Sequence, residues 1–258
     1  MPRRIQISTD HGSPGRLRPV LGAVLPLLVL ACSYAADTQE TSVEVDFEDA
    51  RGDYEAGHHF DAVLKFSDFI REYPGSVLVD QAIYYRGRSY YEQKDWILAA
   101  ADFERVVRDF PESRFACDAQ LWLAETYWRQ SRKAPYDQAE TRRAIQEYER
   151  FQRRCPEHEG IEEIPARLAR ARNRLAEKQY RAARLYEKLN QPESALIYLG
   201  LVVDEYPDTE WATPARQDRA RLLIDLGRVD EARSDIEWLR ERQAVDDALL
   251  RRFSELDR

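Results

Sequence analysis

Residues 84–111 read YYRGRSYYEQKDWILAAADFERVVRDFP. A small residue, Gly87, stands twelve positions before a second small residue, Ala99. Tyr90 follows the first by three positions, and Phe103 follows the second by four. The stretch closes on Phe110-Pro111, where Pro cannot continue a helix. The same spacing separates Ala50 from Ala62, Ala183 from Ala195 and Ala220 from Ala232. Ala144 opens one more helix-like segment, and Tyr73-Pro74, Cys155-Pro156 and Tyr206-Pro207 repeat the closing pair.

This recurrence resembles the tetratricopeptide (TPR) signature, in which each repeat is one helical hairpin. The expected fold is all-α: a TPR superhelix, or α-solenoid, of five helical hairpins plus a C-terminal capping helix. The repeats are expected at about 43–76, 80–113, 117–158, 162–209 and 213–242, with the cap at 245–256. Repeat three carries eight extra residues around Ser131 to Gln138, and fourteen more precede repeat four, so its first helix is expected to reach back to Ile161 or Pro165. The signature residues have packing roles. Small residues let the two helices of a hairpin approach, and the aromatic fills the space between repeats. Composition agrees, because a chain rich in Ala, Leu, Arg and Glu with only 10 Gly and 12 Pro favours helix.

The leader, residues 1–31, stands apart from that pattern. Arg3, Arg4, Arg16 and Arg18 precede an apolar run from Val20 to Ala31. Twelve residues of helix rise about 18 Å, too short for a hydrocarbon core of about 30 Å. The run therefore reads as the core of a signal peptide. It ends Val29-Leu30-Ala31-Cys32-Ser33, which resembles the bacterial lipobox. Cys32 is then the acylated first mature residue and 32–42 a short tether to the TPR domain at 43–258. Ser33 in place of Asp resembles lipoproteins sorted to the outer membrane. The other reading is an ordinary signal peptide with an incidental Cys. The leader carries four arginines and one aspartate, so removing it from a chain of net charge −8 leaves −11 on the following 227 residues. An acidic surface repels phosphates, which argues against nucleic acid.

Function is expected on the face that helix A of each hairpin turns to the groove, at repeat positions 5, 9 and 12. These are Phe47, Arg51 and Tyr54, then Tyr84, Arg88 and Tyr91, then Leu121, Glu125 and Trp128. Position 9 is Arg in four of five repeats, with Arg184 and Arg221 completing the set. Arginine beside aromatic rings suits an extended peptide with aromatic side chains and a terminal carboxylate. The bland alternative is that these side chains pair with neighbouring Glu and Asp. Cys117 and Cys155 fall at adjoining ends of one hairpin. Either they form a disulfide, or they are two buried thiols. No metal-ligand spacing, phosphate loop or nucleophile motif appears, so no enzyme, no metal and no cofactor beyond the acyl chains on Cys32 is expected.

The lipobox followed by five TPRs resembles the BamD family (also YfiO or ComL), lipoproteins of the outer-membrane β-barrel assembly (BAM) machine. The local match is strongest over Ala169–Thr209, through Arg174-Leu175-Ala176, Tyr186-Glu187 and Asp204-Glu205-Tyr206-Pro207-Asp208-Thr209. The resemblance implies a scaffold on the periplasmic face of the outer membrane. Its partners would be a POTRA domain of BamA, contacted by Arg174, unfolded outer-membrane barrel proteins, and other BAM lipoproteins. Two other readings stay open. One is a periplasmic coordinator of envelope constriction like CpoB (YbgF). The other is a TPR adaptor that tethers peptidoglycan hydrolases. If the lipobox reading is right, mass spectrometry of protein purified from membranes finds acyl chains on residue 32, whereas an unmodified mature terminus removes the anchor.

Overall fold

The computed structural model describes residues 42–256, and all regular structure among them is helical. Helix α1 covers residues 42–55. It is followed by α2 (His59–Glu72), α3 (Val79–Glu92), α4 (Trp96–Asp109), α5 (Ala116–Gln130) and α6 (Ala139–Arg154). A 3₁₀ segment, Glu159–Glu163, leads into the long α7 (Ile164–Lys188). Then come α8 (Pro192–Glu205), α9 (Ala212–Asp225), α10 (Val229–Glu241) and the terminal α11 (Asp247–Leu256). Residues from Phe47 onward form one compact unit. From α3 to α10 each helix packs on the helix before it and the helix after it, the connectivity of a solenoid. Cys32 and the leader lie outside the described residues.

Two local rules set the element ends. Before each closing Pro the chain leaves the helical region, because Pro Cδ clashes with a preceding αR residue. Tyr73, Phe110, Cys155 and Tyr206 share φ between −120° and −129° and ψ between 46° and 58°. At the other end of the hairpin, helix A stops on a left-handed residue: Gly57 (φ 79°), Lys94 (66°), Asn190 (55°) and Gly227 (75°). Each sits seven residues after the small residue of helix A. A left-handed residue just beyond a helix lets its amide satisfy a free carbonyl of the last turn. In repeat three the same position is Ser131, which is extended (φ −64°, ψ 135°) and starts the insertion. That insertion wraps around the buried Gln138, whose Nε2 donates to the carbonyls of Arg132, Lys133 and Tyr136 while its Oε1 accepts from Thr141.

The core lies where the two helices of a hairpin cross. A Cβ added at Gly87 would meet the Phe103 ring at 3.0 Å and Asp102 Cβ at 3.1 Å, so the crossing admits no larger residue without movement. Ala50, Ala62, Ala99, Ala124, Ala144, Ala195, Ala220 and Ala232 are all buried. Phe66, Phe103, Tyr148, Leu199 and Ile236 fill the space beside them.

A buried polar lock accompanies the crossing. Arg86 donates through Nε and Nη2 to both oxygens of Asp102, at 2.8 and 2.6 Å. The equivalent residues of repeat five, Arg219 and Asp235, pair the same way at 2.6 and 2.7 Å, and Arg216 adds a bond at 2.8 Å. Repeat one carries the pair with its signs exchanged, Asp49 with Lys65 at 2.7 Å, and there the Asp49 side chain is exposed and that of Lys65 partly so. Hydrogen bonds to Asp49 and Asp53 push the Lys65 ammonium up to about 12.

Removing one partner of a buried ion pair leaves an uncompensated charge. Asp102→Ala is therefore expected to destabilise by about 3–5 kcal/mol, and Arg86→Met with Asp102→Leu by much less. Asp49→Ala, at the exposed and solvent-screened pair, is expected to cost little. Urea unfolding of the three variants checks this, and equal losses for Asp102→Ala and Asp49→Ala would contradict it.

Candidate functional site

A cleft of about 490 Å³ opens between α3, α5, the 3₁₀ segment and the start of α7. Its centre is Arg88. Helix α3 carries Arg88 four residues after Tyr84, so both face α5, where Phe115 stacks on Tyr84 and Trp122 lies under Arg88. The Arg88 guanidinium lies 3.7 Å from the Trp122 ring centroid and 6.0 Å from that of Tyr54. Cation–π attraction of this kind contributes about 0.5–2 kcal/mol, more as water is excluded. Tyr91 supports the far side of Trp122 edge-on, at 4.9 Å, and meets Trp96 at the same distance.

Arg88 differs from the other position-9 arginines in its polar contacts. Arg51 pairs with Glu48 at 2.6 Å and Glu55 at 3.2 Å on its own helix. Arg184 and Arg221 share Glu187 and Asp218, with shortest distances of 2.7 Å each. Arg88 has Glu92 at 3.8 Å and the Tyr84 hydroxyl at 3.4 Å, and its buried Nε has no acceptor among the described residues. It is a guanidinium oriented by aromatic rings with hydrogen-bonding capacity left over.

The opposite wall is polar and built from two distant pieces of chain. Glu125 accepts from the Tyr148 hydroxyl at 2.5 Å and is ion-paired to Arg167, which also bonds Glu163 at 2.5 Å. Burial and the Glu125 charge push the Tyr148 hydroxyl far above its ordinary value, so it stays a donor. Residues 155–163 are tied to α5 at three points. The Cys117 and Cys155 sulfurs are bonded, with Cα atoms 5.9 Å apart. His158 sets Nε2 3.3 Å from Asp118 Oδ1 and accepts the Gly160 amide on Nδ1 at 3.0 Å. Gly160 backs onto Leu121, where an added Cβ would come within 3.1 Å.

Of the residues expected to line a groove, Tyr84, Arg88, Leu121 and Glu125 meet at this cleft, and Tyr54 flanks Arg88. Phe47 must be corrected. It is 2% exposed, among Phe66, Phe69 and Tyr85 with ring centroids within 6.4 Å, and is core. Tyr91 is likewise covered, held between Trp96 and Trp122 while its hydroxyl accepts from Arg129 at 3.0 Å. Arg51 is neutralised on its own helix and does not reach the cleft. Trp128 belongs to a second place, under Arg174 at 3.9 Å and Arg170 at 4.8 Å. Arg174 also donates to Ser131 Oγ at 2.5 Å. Burial, and then the neighbouring Arg170 charge, lower its pKa from the usual arginine value. Trp122, Asp118, His158, Glu159, Glu163 and Arg167 are cleft residues that the repeat pattern did not single out. Among the described residues no His, Cys, Asp or Glu group could hold a metal ion, and no helix is long and apolar enough to cross a membrane.

Comparison with known proteins gives a family. The profile of YfiO, described as an outer membrane lipoprotein, matches residues 47–220, two thirds of the chain. No curated protein matches. Solved structures similar to the chain include a thermophilic TPR protein of Thermus thermophilus, at 17% identity over 83% of this chain and 98% of that one, TM-score 0.38. A TPR protein of Parabacteroides merdae is 17% identical over 84% and 72%, TM-score 0.39. The TPR2AB domain of yeast Sti1, in its complex with pHSP90, is 13% identical over 84% and 83%, TM-score 0.44.

Proposed function

We propose that this chain, which belongs to the YfiO family of outer membrane lipoproteins, is a docking scaffold of the β-barrel assembly machine rather than an enzyme. In this reading the acylated Cys32 holds the helical stack at the periplasmic face of the outer membrane. The Arg88 cleft receives the C-terminal segment of an unfolded barrel protein. The observation that carries the reading is Arg88 itself. It is held by Trp122 and Tyr54, and among the described residues no carboxylate comes closer to it than 3.8 Å. A terminal carboxylate entering the cleft would pair with the accessible part of the guanidinium through charge-assisted hydrogen bonds, and an adjoining aromatic side chain would find rings on which to pack. Arg174, which stacks on Trp128 beside Arg170, is the residue that the family resemblance places at the POTRA domain of BamA.

A peptide ending in an aromatic residue with a free carboxylate is expected to lose about tenfold or more in affinity on Arg88→Glu. A charge-assisted hydrogen bond is worth about 1.5–3 kcal/mol, and the reversed charge adds repulsion. Fluorescence anisotropy reads this directly, and an unchanged affinity removes the peptide reading. Independently, Arg174→Glu is expected to reduce recovery of BamA in a pull-down, because it replaces the cation over Trp128. Undiminished BamA would detach Arg174 from that contact while leaving the cleft in place.

A further inference from the structure

The charge of the cleft is not that of an arginine-lined groove. Four carboxylates, Asp118, Glu125, Glu159 and Glu163, line it against two guanidinium groups, Arg88 and Arg167. Arg167 is already shared by Glu125 and Glu163, and holds the Glu163 carboxyl below the usual carboxylate range. Asp118 faces His158. Glu159 is exposed and has no ion-pair partner among the described residues. It is not carried on a loose loop. It lies between His158 and Gly160, in the segment that the Cys117–Cys155 bond and the Asp118 contact tie to α5. One side of the cleft therefore offers an under-satisfied cation and the other an excess of fixed negative charge.

We propose that this cleft selects peptide ends that carry a Lys or Arg side chain a few residues upstream of the terminal carboxylate. The inference rests on the peptide reading above and specifies which ends bind well. With the carboxylate on Arg88, the chain runs out past the 3₁₀ segment. There an upstream cation meets Glu159 and the outer edge of the Glu163–Arg167 pair. An acidic residue at the same place meets like charge with nothing to offset it, and complementarity of this kind governs choice between partners more than raw affinity. Glu159 and Glu163 are thus specificity-determining, and Arg88 is the anchor.

The experiment uses the full mature chain and fluorescent decapeptides ending in Phe. Lys or Glu is placed in turn at the second to fifth positions from the end, and each peptide is made with a free and an amidated terminus. At its best position the Lys peptide is expected to bind about two- to fivefold more tightly than the Glu peptide, the size of a partly exposed ion pair. The preference should fade at high salt. Glu159→Lys, a change at an exposed side chain, should abolish or reverse the preference while the loss on amidation persists. Equal affinity of Lys and Glu peptides for the unaltered protein overturns the proposal and leaves the peptide reading standing. So does a preference that Glu159→Lys does not move. Binding of no peptide, or binding indifferent to amidation, overturns both.

Discussion

The close crossing of the two helices in each hairpin is the constraint on which the remaining structure depends. At Gly87 the backbone of α3 lies near enough to Phe103 and Asp102 that a Cβ would force a shift. Interiors packed at this density do not absorb extra atoms without moving a helix. The crossing fixes the angle of each hairpin, and the hairpin angle fixes which side of α3 faces α5. Without it Arg88 would not lie over Trp122. The buried pairs Arg86–Asp102 and Arg219–Asp235 sit at this crossing and tolerate only an arrangement in which each charge finds its partner. Buried pairs of this sort add little net stability, and their effect is to make mispacked arrangements costly.

A repeat array would by itself present a nearly uniform face. Here uniformity ends at repeat three. Its first helix stops on the extended Ser131 instead of a left-handed residue, and the insertion that follows is closed around Gln138. After α6, residues 155–163 fold back over α5 and are held by the disulfide at Cys155 and by His158. This segment turns an open groove into a cleft with two chemically different sides. In the proposed reading the irregular parts of the chain supply the selectivity, and the regular repeats supply the rigid support.

The hairpins were legible in sequence because their determinants are local: a twelve-residue spacing in four of them and a Pro that stops the second helix in four. The left-handed stops were less so, since Gly57, Lys94, Asn190 and Gly227 share a position and not a residue type. The groove was legible only in part. Arg51, Arg184 and Arg221 each have an acid three or four residues away that claims them, and Arg88 has Glu92 there too, but drawn off toward 3.8 Å by the stack on Trp122. Only the contact with α5 separates the two outcomes. Phe47 was misplaced because the pattern gives its position along a helix, while its surroundings, Phe66, Phe69 and Tyr85, come from two other helices. The acidic wall depends on a link across 38 residues, a distance at which periodicity carries no information.

Site-specific cross-linking in living cells tests the central claim most directly. A photoreactive phenylalanine analogue at Leu121, a partly exposed lining residue of the cleft, is irradiated during outer-membrane biogenesis, and the adducts are identified by mass spectrometry. Adducts to the C-terminal segments of outer-membrane β-barrel proteins are the predicted result. Adducts confined to cell-wall hydrolases or to components of the constriction machinery, with no barrel protein among them, would contradict it.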